Sequence, residues 1–378
     1  MEVDASGLAG RVEAELRRTL PKGAPFAVAY SGGGDSTALL HILRDRAPLA
    51  VIVEHNLSEG TEKRTRLAVE RARAMGVEVV VKTWRHDFAR ANQAKARSAR
   101  YGLIAEALSD RRIRHLVVAH TLDDAAETFA MSGGSAVMMP VASAPVWPAL
   151  RGVWLHRPAL GERRDALRSY LRAHGVPWLE DPANADTAYT RVRVRRALGG
   201  SVPPDVQAAL RRHRQLAADD ARRLQRELAS VSFHPGWAHL DANPSPALLA
   251  LVAGAVGGQP TYPSPDRVRR LHGGTIGGAN IESVKGGMRV TRDPGAVLGR
   301  SGVAPLQPLR VEAGREALWD GRVLVRAGRD GAVVGVRGRD GWRAALPTLV
   351  EGDATLADVA GPRIHSHLQV QALAIPPQ

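Results

Sequence analysis

The chain has 378 residues, with 52 Lys and Arg against 38 Asp and Glu, a formal net charge of +14 at neutral pH. A hydrophobic fraction of 44% and a charged fraction of 24% match ordinary globular proteins, two or three domains at this length, and set aside disorder, collagen and coiled coil. The absence of cysteine excludes a disulfide framework, a thiolate nucleophile, an iron–sulfur cluster and a Cys-based zinc site.

The first twenty residues carry early acids and no apolar core segment. The longest apolar run, 247–258, is too short and too Gly-rich to span a bilayer. A cytoplasmic protein with no membrane partner is expected.

Residues 8–20 have the periodicity of an amphipathic helix, and 24–30 form a short apolar run bounded by Gly and Pro, the pattern of a buried strand. Ser31-Gly32-Gly33-Gly34-Asp35-Ser36 follows, and then a helix in which Leu39, Leu40 and Leu43 recur at helical spacing. Strands at 49–53, 77–81, 115–119 and 153–156 alternate with helices at 61–75, 92–108, 122–131 and 162–174. That alternation predicts an α/β domain over 1–200, a doubly wound parallel sheet covered on both faces. A mainly helical domain is expected over 201–295, and short Val-rich segments split by Gly suggest a small β-rich domain over 296–378.

Three glycines in a strand-to-helix turn let the backbone come close to a ligand, and the N–H groups there form an anion nest. Ser31 and Ser36 add hydroxyls. Asp35 is out of place against an anion unless a divalent cation bridges it to phosphate. No Gly-Lys-Ser/Thr follows, so the loop is not a Walker loop, and it is not the G-x-G-x-x-G fingerprint. Alternatively, the string is simply a helix N-cap.

Only five of the basic residues are lysines, and sixteen arginines against nine acids crowd 151–227. The Arg excess is read either as the composition of a GC-rich genome or as a match to phosphates. Arg191, Arg193, Arg195 and Arg196 are its densest cluster. Arg193 and Arg195 alternate in what reads as an extended run, which would put them on one face to clamp ATP or RNA.

Four strings together carry a resemblance. Ser31–Ser36 resembles the S-G-G-x-D-S loop of the PP-loop family, enzymes that use ATP with release of pyrophosphate. Residues 92–101 (NQAKARSARY) look like an N-x-x-A-R-x-x-R-Y helix with one more residue after the Asn, and 119–128 (AHTLDDAAET) are similar to A-H-x-x-D-D-x-x-E-T. Residues 181–186 (DPANAD) with 189–195 (YTRVRVR) resemble D-P-[ST]-N-x-D…Y-x-R-x-R-[VI]-R. Within the PP-loop enzymes this set is similar to the tRNA(Ile)-lysidine synthetases over about 24–200, and more weakly at 274–293.

The resemblance implies ligation of free L-lysine onto carbon 2 of the wobble cytidine of a CAU-anticodon tRNA(Ile), through an adenylated cytidine, with ATP and Mg2+ required. It implies a homodimer as the assembly. It implies that Ser31, Gly32, Gly33, Gly34, Asp35 and Ser36 hold the pyrophosphate, that Asp35 and Asp124 hold the metal, and that Asp35, His120 and Asp124 are catalytic, with Asp124 acting on the lysine amine. Arg97, Arg100, Arg193 and Arg195 would contact RNA or ATP. The acids 123, 124 and 127 also suit a helix start.

The chain departs from the family in two places. Glu54 stands where Asp is usual, with no Arg following the His-x-Leu. The stretch after Thr128 is shorter by about two turns and lacks an Arg. That second departure keeps open an alternative, a catalytically weak or inactive PP-loop tRNA-binding protein.

Overall fold

The structure, a computed structural model, describes residues 5–54, 60–84, 93–134, 136–143, 146–180, 190–200, 202–241, 243–271, 273–302, 304–338 and 341–373. The chain divides into two compact units, Met1–Ala218 with Val370–Gln378, and Asp219–Gln369.

In the first unit, α1 (Ala5–Thr19) precedes β1 (Ala27–Ala29), α2 (Gly34–Leu43), β2 (Leu49–Glu54), α3 (Thr61–Ala74), β3 (Glu78–Thr83), α4 (Gln93–Ser109), β4 (His115–Val117) and α5 (Leu122–Met131). β5 (Val141–Ser143), β6 (Trp154–His156), α6 (Arg164–Ala173) and α7 (Thr190–Ala197) complete it, and α8 (Pro204–Glu227) begins in it. The strands form one sheet in the order β3-β2-β1-β4-β6-β5. All its pairs are parallel except the edge strand β5, which runs against β6.

Alternate residues of these strands bury into two cores. Val28 and Val117 pack with Leu8, Val12 and Leu16 of α1, Leu39 and Leu43 of α2, and Leu167 and Leu171 of α6. Ala27, Leu116 and Leu155 pack with Tyr101, Ile104 and Leu108 of α4. Apolar burial on both faces is what holds a parallel sheet together. The strand order reverses at β1 and β4, and in such sheets the crevice outside the carboxyl ends at that reversal receives ligands.

The second unit holds two antiparallel sheets. β7 (Val231–His234), β8 (Trp237–Asp241), β9 (Gly274–Ile276), β10 (Ala279–Val284) and β11 (Gly287–Arg292) are ordered β7-β8-β11-β10-β9, with α9 (Pro246–Val256) against them and α10 (Pro265–Arg269) beside it. After α11 (Pro294–Leu298), β12 (Leu309–Val311), β13 (Glu316–Trp319), β14 (Val323–Val336) and β15 (Pro347–Asp358) make the second sheet, and α12 (Ala360–Leu373) ends the described chain. All five strands of the first of these sheets lie inside the 201–295 stretch read from sequence as mainly helical, beginning with the β7–β8 hairpin. Its turn, Pro235-Gly236 with Gly236 at a φ of 87°, is a hairpin signal that the helical pattern around it hid. Among the described residues no helix is long and apolar enough to cross a membrane.

One expectation fails outright. Arg193 and Arg195 lie in helix α7, not in an extended run. Successive helical residues turn by about 100°, so side chains two apart point away from each other and those four apart align. The pair that shares a face is Arg191 and Arg195.

Candidate active site

The glycine-rich turn leaves β1 and becomes the first turn of α2. Gly32 has a φ of 79°, and a Cβ there would stand 2.8 Å from Leu179 Cδ1 and 3.0 Å from the Ala68 methyl. Both the backbone angle and the space demand glycine. Leu179 N donates to Gly32 O, and Gly33 forms a parallel bridge with Leu179, so the turn is fastened from outside. Inside it, Thr37 Oγ1 donates to Gly32 O (3.0 Å) and Ser36 Oγ to Gly33 O (3.0 Å). Ser31 Oγ lies 3.1 Å from Ser36 Oγ; because the Ser36 proton is used on Gly33, Ser31 is the donor. No side chain caps α2, and its first intrahelical bond is Thr37 N to Gly33 O. The first-turn amides at 34–36 therefore precede that ladder, as an anion site requires.

β4 leads into the second half of the site. Thr121 caps α5 in a reciprocal box: its hydroxyl accepts from Asp124 N, and Asp124 Oδ2 accepts from Thr121 N at 2.8 Å and from its hydroxyl at 2.8 Å. Burial opposes ionisation of Asp124. Arg164, His120 and the Thr121 donors outweigh it and hold the carboxyl below the usual range.

Arg164, the first residue of α6, joins the two halves. Its Nε donates to Asp35 Oδ2 at 3.2 Å, its Nη2 to Asp124 Oδ1 at 3.1 Å, and its Nη1 to Glu127 Oε1 at 3.3 Å. Burial alone would lower the pKa of this guanidinium, but Asp124, Asp35, Glu127 and Asp123 hold it well above the ordinary value. Asp35 is pushed up to about 6, first by burial and further by Asp124, with Arg164 pulling it back. Its Oδ1 is buried and has no hydrogen-bond partner. Glu127, 1% exposed, accepts from Arg195 Nε (2.7 Å) and Arg191 Nε (2.9 Å) as well. A carboxylate so deeply buried needs this much pairing.

Two further contacts frame the pair. Asp123 accepts from Arg163 Nη2 (2.9 Å) and from Arg164 N (2.8 Å), so it fixes the start of α6 instead of facing the crevice. His120 Nδ1 accepts from Arg157 Nε at 3.1 Å, so a neutral His120 carries its proton on Nε2.

The crevice thus brings Ser31, Gly32, Gly33, Gly34, Asp35, Ser36 and Asp124 to neighbouring strand ends, with His120 just past β4. Arg195 is turned onto Glu127, and Arg193 is an exposed residue of α7 whose Nη2 donates to Thr190 Oγ1. The Arg100 guanidinium lies over the Tyr101 ring at 5.2 Å. Arg97 is within α4, but its side chain is outside the described residues, as are residues 181–189 of the D-P-x-N string and His55.

In the described part of the shorter stretch after Thr128, helix α5 closes on two glycines. Gly133 N bonds to Ala130 O and Gly134 N to Phe129 O, a Schellman ending with both glycines at positive φ. Arg214 Nε then donates to Met138 O (3.1 Å) and Arg157 Nη1 to Met139 O (2.7 Å).

The PP-loop domain family matches residues 9–202. A curated relative named tRNA(Ile)-lysidine synthase, from Caulobacter vibrioides, is 34% identical and covers 96% of this chain and 92% of its own. The chain belongs to the tRNA(Ile)-lysidine synthase family. Relatives of the same name from Ruegeria pomeroyi (33% identical, 86% of this chain and 82% of the relative) and Hyphomonas neptunium (38%, 46% and 50%) agree.

In this lysidine synthase family member, sequence reasoning missed Arg157, Arg163 and Arg164, and named Arg191 only as part of the arginine cluster. A signal was present. Half-buried Asp35 and buried Asp124 and Glu127 need cations, and the arginine-rich segment opening at Arg151 is their nearest source.

Proposed function

We propose that the chain ligates free lysine to carbon 2 of the wobble cytidine in a CAU-anticodon tRNA(Ile), consuming ATP and releasing AMP and pyrophosphate. The observation that carries this reading is the convergence of an uncapped glycine turn after β1 with Asp124 after β4, bridged by Arg164. Family membership supplies the substrate. Among the described residues no observation favours the inactive alternative, and α5 closes on Gly133 and Gly134 where the stretch is short.

The carbonyl oxygen on carbon 2 is a poor leaving group. Its attack on the α-phosphorus of ATP breaks the bond to pyrophosphate and makes the oxygen part of a phosphate ester. Amides at 34–36 with Ser31 and Ser36 would hold the departing pyrophosphate. The lysine nitrogen then attacks carbon 2, the C–O bond breaks, AMP leaves, and the nitrogen loses a proton.

At neutral pH fewer than about one free lysine in a thousand carries a neutral amine. A desolvating crevice lowers that pKa. Asp124, held ionised, would draw the ammonium in by charge; the ammonium gives one proton to solvent to become the attacking amine, and Asp124 would take the second once C–N bond formation makes the nitrogen strongly acidic. His120, just past β4, would donate to the reacting carbonyl.

The residues fit a divalent cation: Asp35 Oδ1 is buried without a partner, and the Asp124 carboxylate is close enough to raise the Asp35 pKa. Asp35 and Asp124 would hold Mg2+, whose charge would neutralise the phosphates. The reaction belongs in the cytoplasm, where tRNA, ATP and lysine meet.

The test is incorporation of labelled lysine into a CAU-anticodon tRNA(Ile) transcript with ATP and Mg2+, beside Asp35→Ala. Incorporation that the substitution abolishes is the expected result. Bound tRNA with no incorporation by the wild type would overturn the reading.

A further inference from the structure

The five-stranded sheet of the second unit has two unlike faces. One carries Ala238, Leu240, Ile281 and Val290, all buried, and α9 packs against these strands. On the other, strand alternation and register bring together His234 and Trp237, a cross-strand pair, with His239 opposite Arg289 and Thr291 opposite Trp237. Thr291 is buried, whereas none of His234, Trp237, His239 and Arg289 is fully buried.

The rings on this face form a ladder. His234 and Trp237 stack with centroids 4.1 Å apart and planes 12° apart. Trp237 meets Trp342, from the 3-10 turn Gly341–Ala345, edge-on at 5.3 Å. Two guanidiniums lie over the Trp342 ring, Arg289 at 4.2 Å and the exposed Arg343 at 4.7 Å. Arg289 also gives Nη2 to Glu282, while its buried Nε has no hydrogen-bond partner.

An aromatic ladder of this kind, half-buried and flanked by cations, is poorly explained as core. A core would bury the rings and would not place Arg343 in solvent over one of them. A duplex backbone would need the cations and not the rings. Rings with guanidiniums together suit an unpaired base, whose π-face stacks while its phosphate meets the cation.

We propose that His234, Trp237 and Trp342, with Arg289 and Arg343, form a stacking platform for an unpaired nucleotide of the tRNA. The base displaces the exposed Arg343 guanidinium from the Trp342 face, and Arg343 and Arg289 take the adjoining phosphate. The proposal rests on the tRNA substrate argued above and adds a contact in the second unit, separate from the residues assigned to chemistry.

The test uses the full-length protein and three probes: the tRNA transcript, a single-stranded RNA oligonucleotide and a blunt RNA duplex. Trp342→Ala should weaken binding of the transcript and the single strand about tenfold, with Trp342→Phe within about threefold of wild type and duplex binding unchanged. Arg343→Ala should weaken the same two probes less. Ultraviolet crosslinking of the transcript to wild-type protein should map to peptides containing Trp237 or Trp342. Unchanged single-strand binding in both Trp342→Ala and Arg343→Ala, equal weakening of duplex and single strand, or crosslinks that avoid both peptides would each overturn the platform. If Trp342→Ala does not fold, Arg343→Ala and the crosslinks decide. Lysine incorporation by wild type, measured in the same preparation, reports separately on the catalytic reading.

Discussion

Arg164 Nε lies 3.2 Å from Asp35 Oδ2, so the first residue of α6 neutralises a carboxylate in the first turn of α2. The same guanidinium reaches Asp124 and Glu127. Three carboxylates at the mouth of one sheet would repel one another and the phosphates of ATP without it. Arg164→Leu leaves the cluster short of its central cation. It should cost at least about 3 kcal/mol of unfolding free energy in urea titrations and reduce pyrophosphate release at least about a hundredfold. Arg164→Lys restores the charge without the fork and should fall between. A Leu variant as stable and active as wild type would refute the bridge.

The adjacent acids Asp123 and Asp124 should separate on mutation. Asp123 holds Arg163 and the first amide of α6, so Asp123→Asn should lower stability by about 1–2 kcal/mol and keep activity within a few-fold at low temperature. Asp124→Asn retains a side chain able to accept from the Thr121 donors but removes the charge. Lysine incorporation should fall at least about a hundredfold while adenylation, followed as pyrophosphate release, falls less. Equal losses in both variants would contradict the division of roles.

Arg193 and Arg195 should differ in the same way. Arg195 donates to buried Glu127 at 2.7 Å, and Arg195→Gln should destabilise the protein by about 2 kcal/mol. Arg193 is exposed, and its Nη2 donates to Thr190 Oγ1 within the same helix. Arg193→Gln should leave the melting temperature alone, weaken tRNA binding a few-fold and lessen its salt dependence. A melting shift for Arg193→Gln as large as that for Arg195→Gln would count against the helical assignment of their faces.

What was legible in the sequence follows the physics. The glycine turn and the strand–helix alternation are local patterns, so the parallel sheet and the placement of Ser31–Ser36 at a strand end could be read directly. β5 was not, because three residues without alternation give no strand signal. Arg191–Arg195 misled because T-R-V-R-V-R alternates like a strand; Glu127, sixty-eight residues from Arg195 in sequence, decides which face of α7 turns inward. The role of Asp123 was also hidden, since only the approach of α6 separates it from Asp124.

A buried histidine chain makes stability depend on acid. Thr19 of α1, His156 of β6 and His115 of β4 stand in line, with Thr19 Oγ1 3.1 Å from His156 Nδ1 and His115 Nδ1 3.1 Å from His156 Nε2. Burial first, then His115 and Arg157, push the His156 pKa down to about 3 from 6.5. Above pH 6.5 the ring is neutral in both folded and unfolded chains, and its contribution is fully present. As pH falls below 6.5 the unfolded chain binds a proton that the folded chain refuses until about pH 3, so stability drops by up to about 1.4 kcal/mol per pH unit. His41 and His367, each near 4, add to the same slope. Asp35, raised to about 6, opposes it between about pH 6 and 4. Urea midpoints at pH 7.5, 6 and 5 should therefore fall more steeply for wild type than for His156→Gln, which keeps a donor and an acceptor but cannot titrate. Parallel slopes would mean that His156 takes up its proton in the folded state, and the Thr19–His156–His115 line would then not be the neutral chain its burial requires.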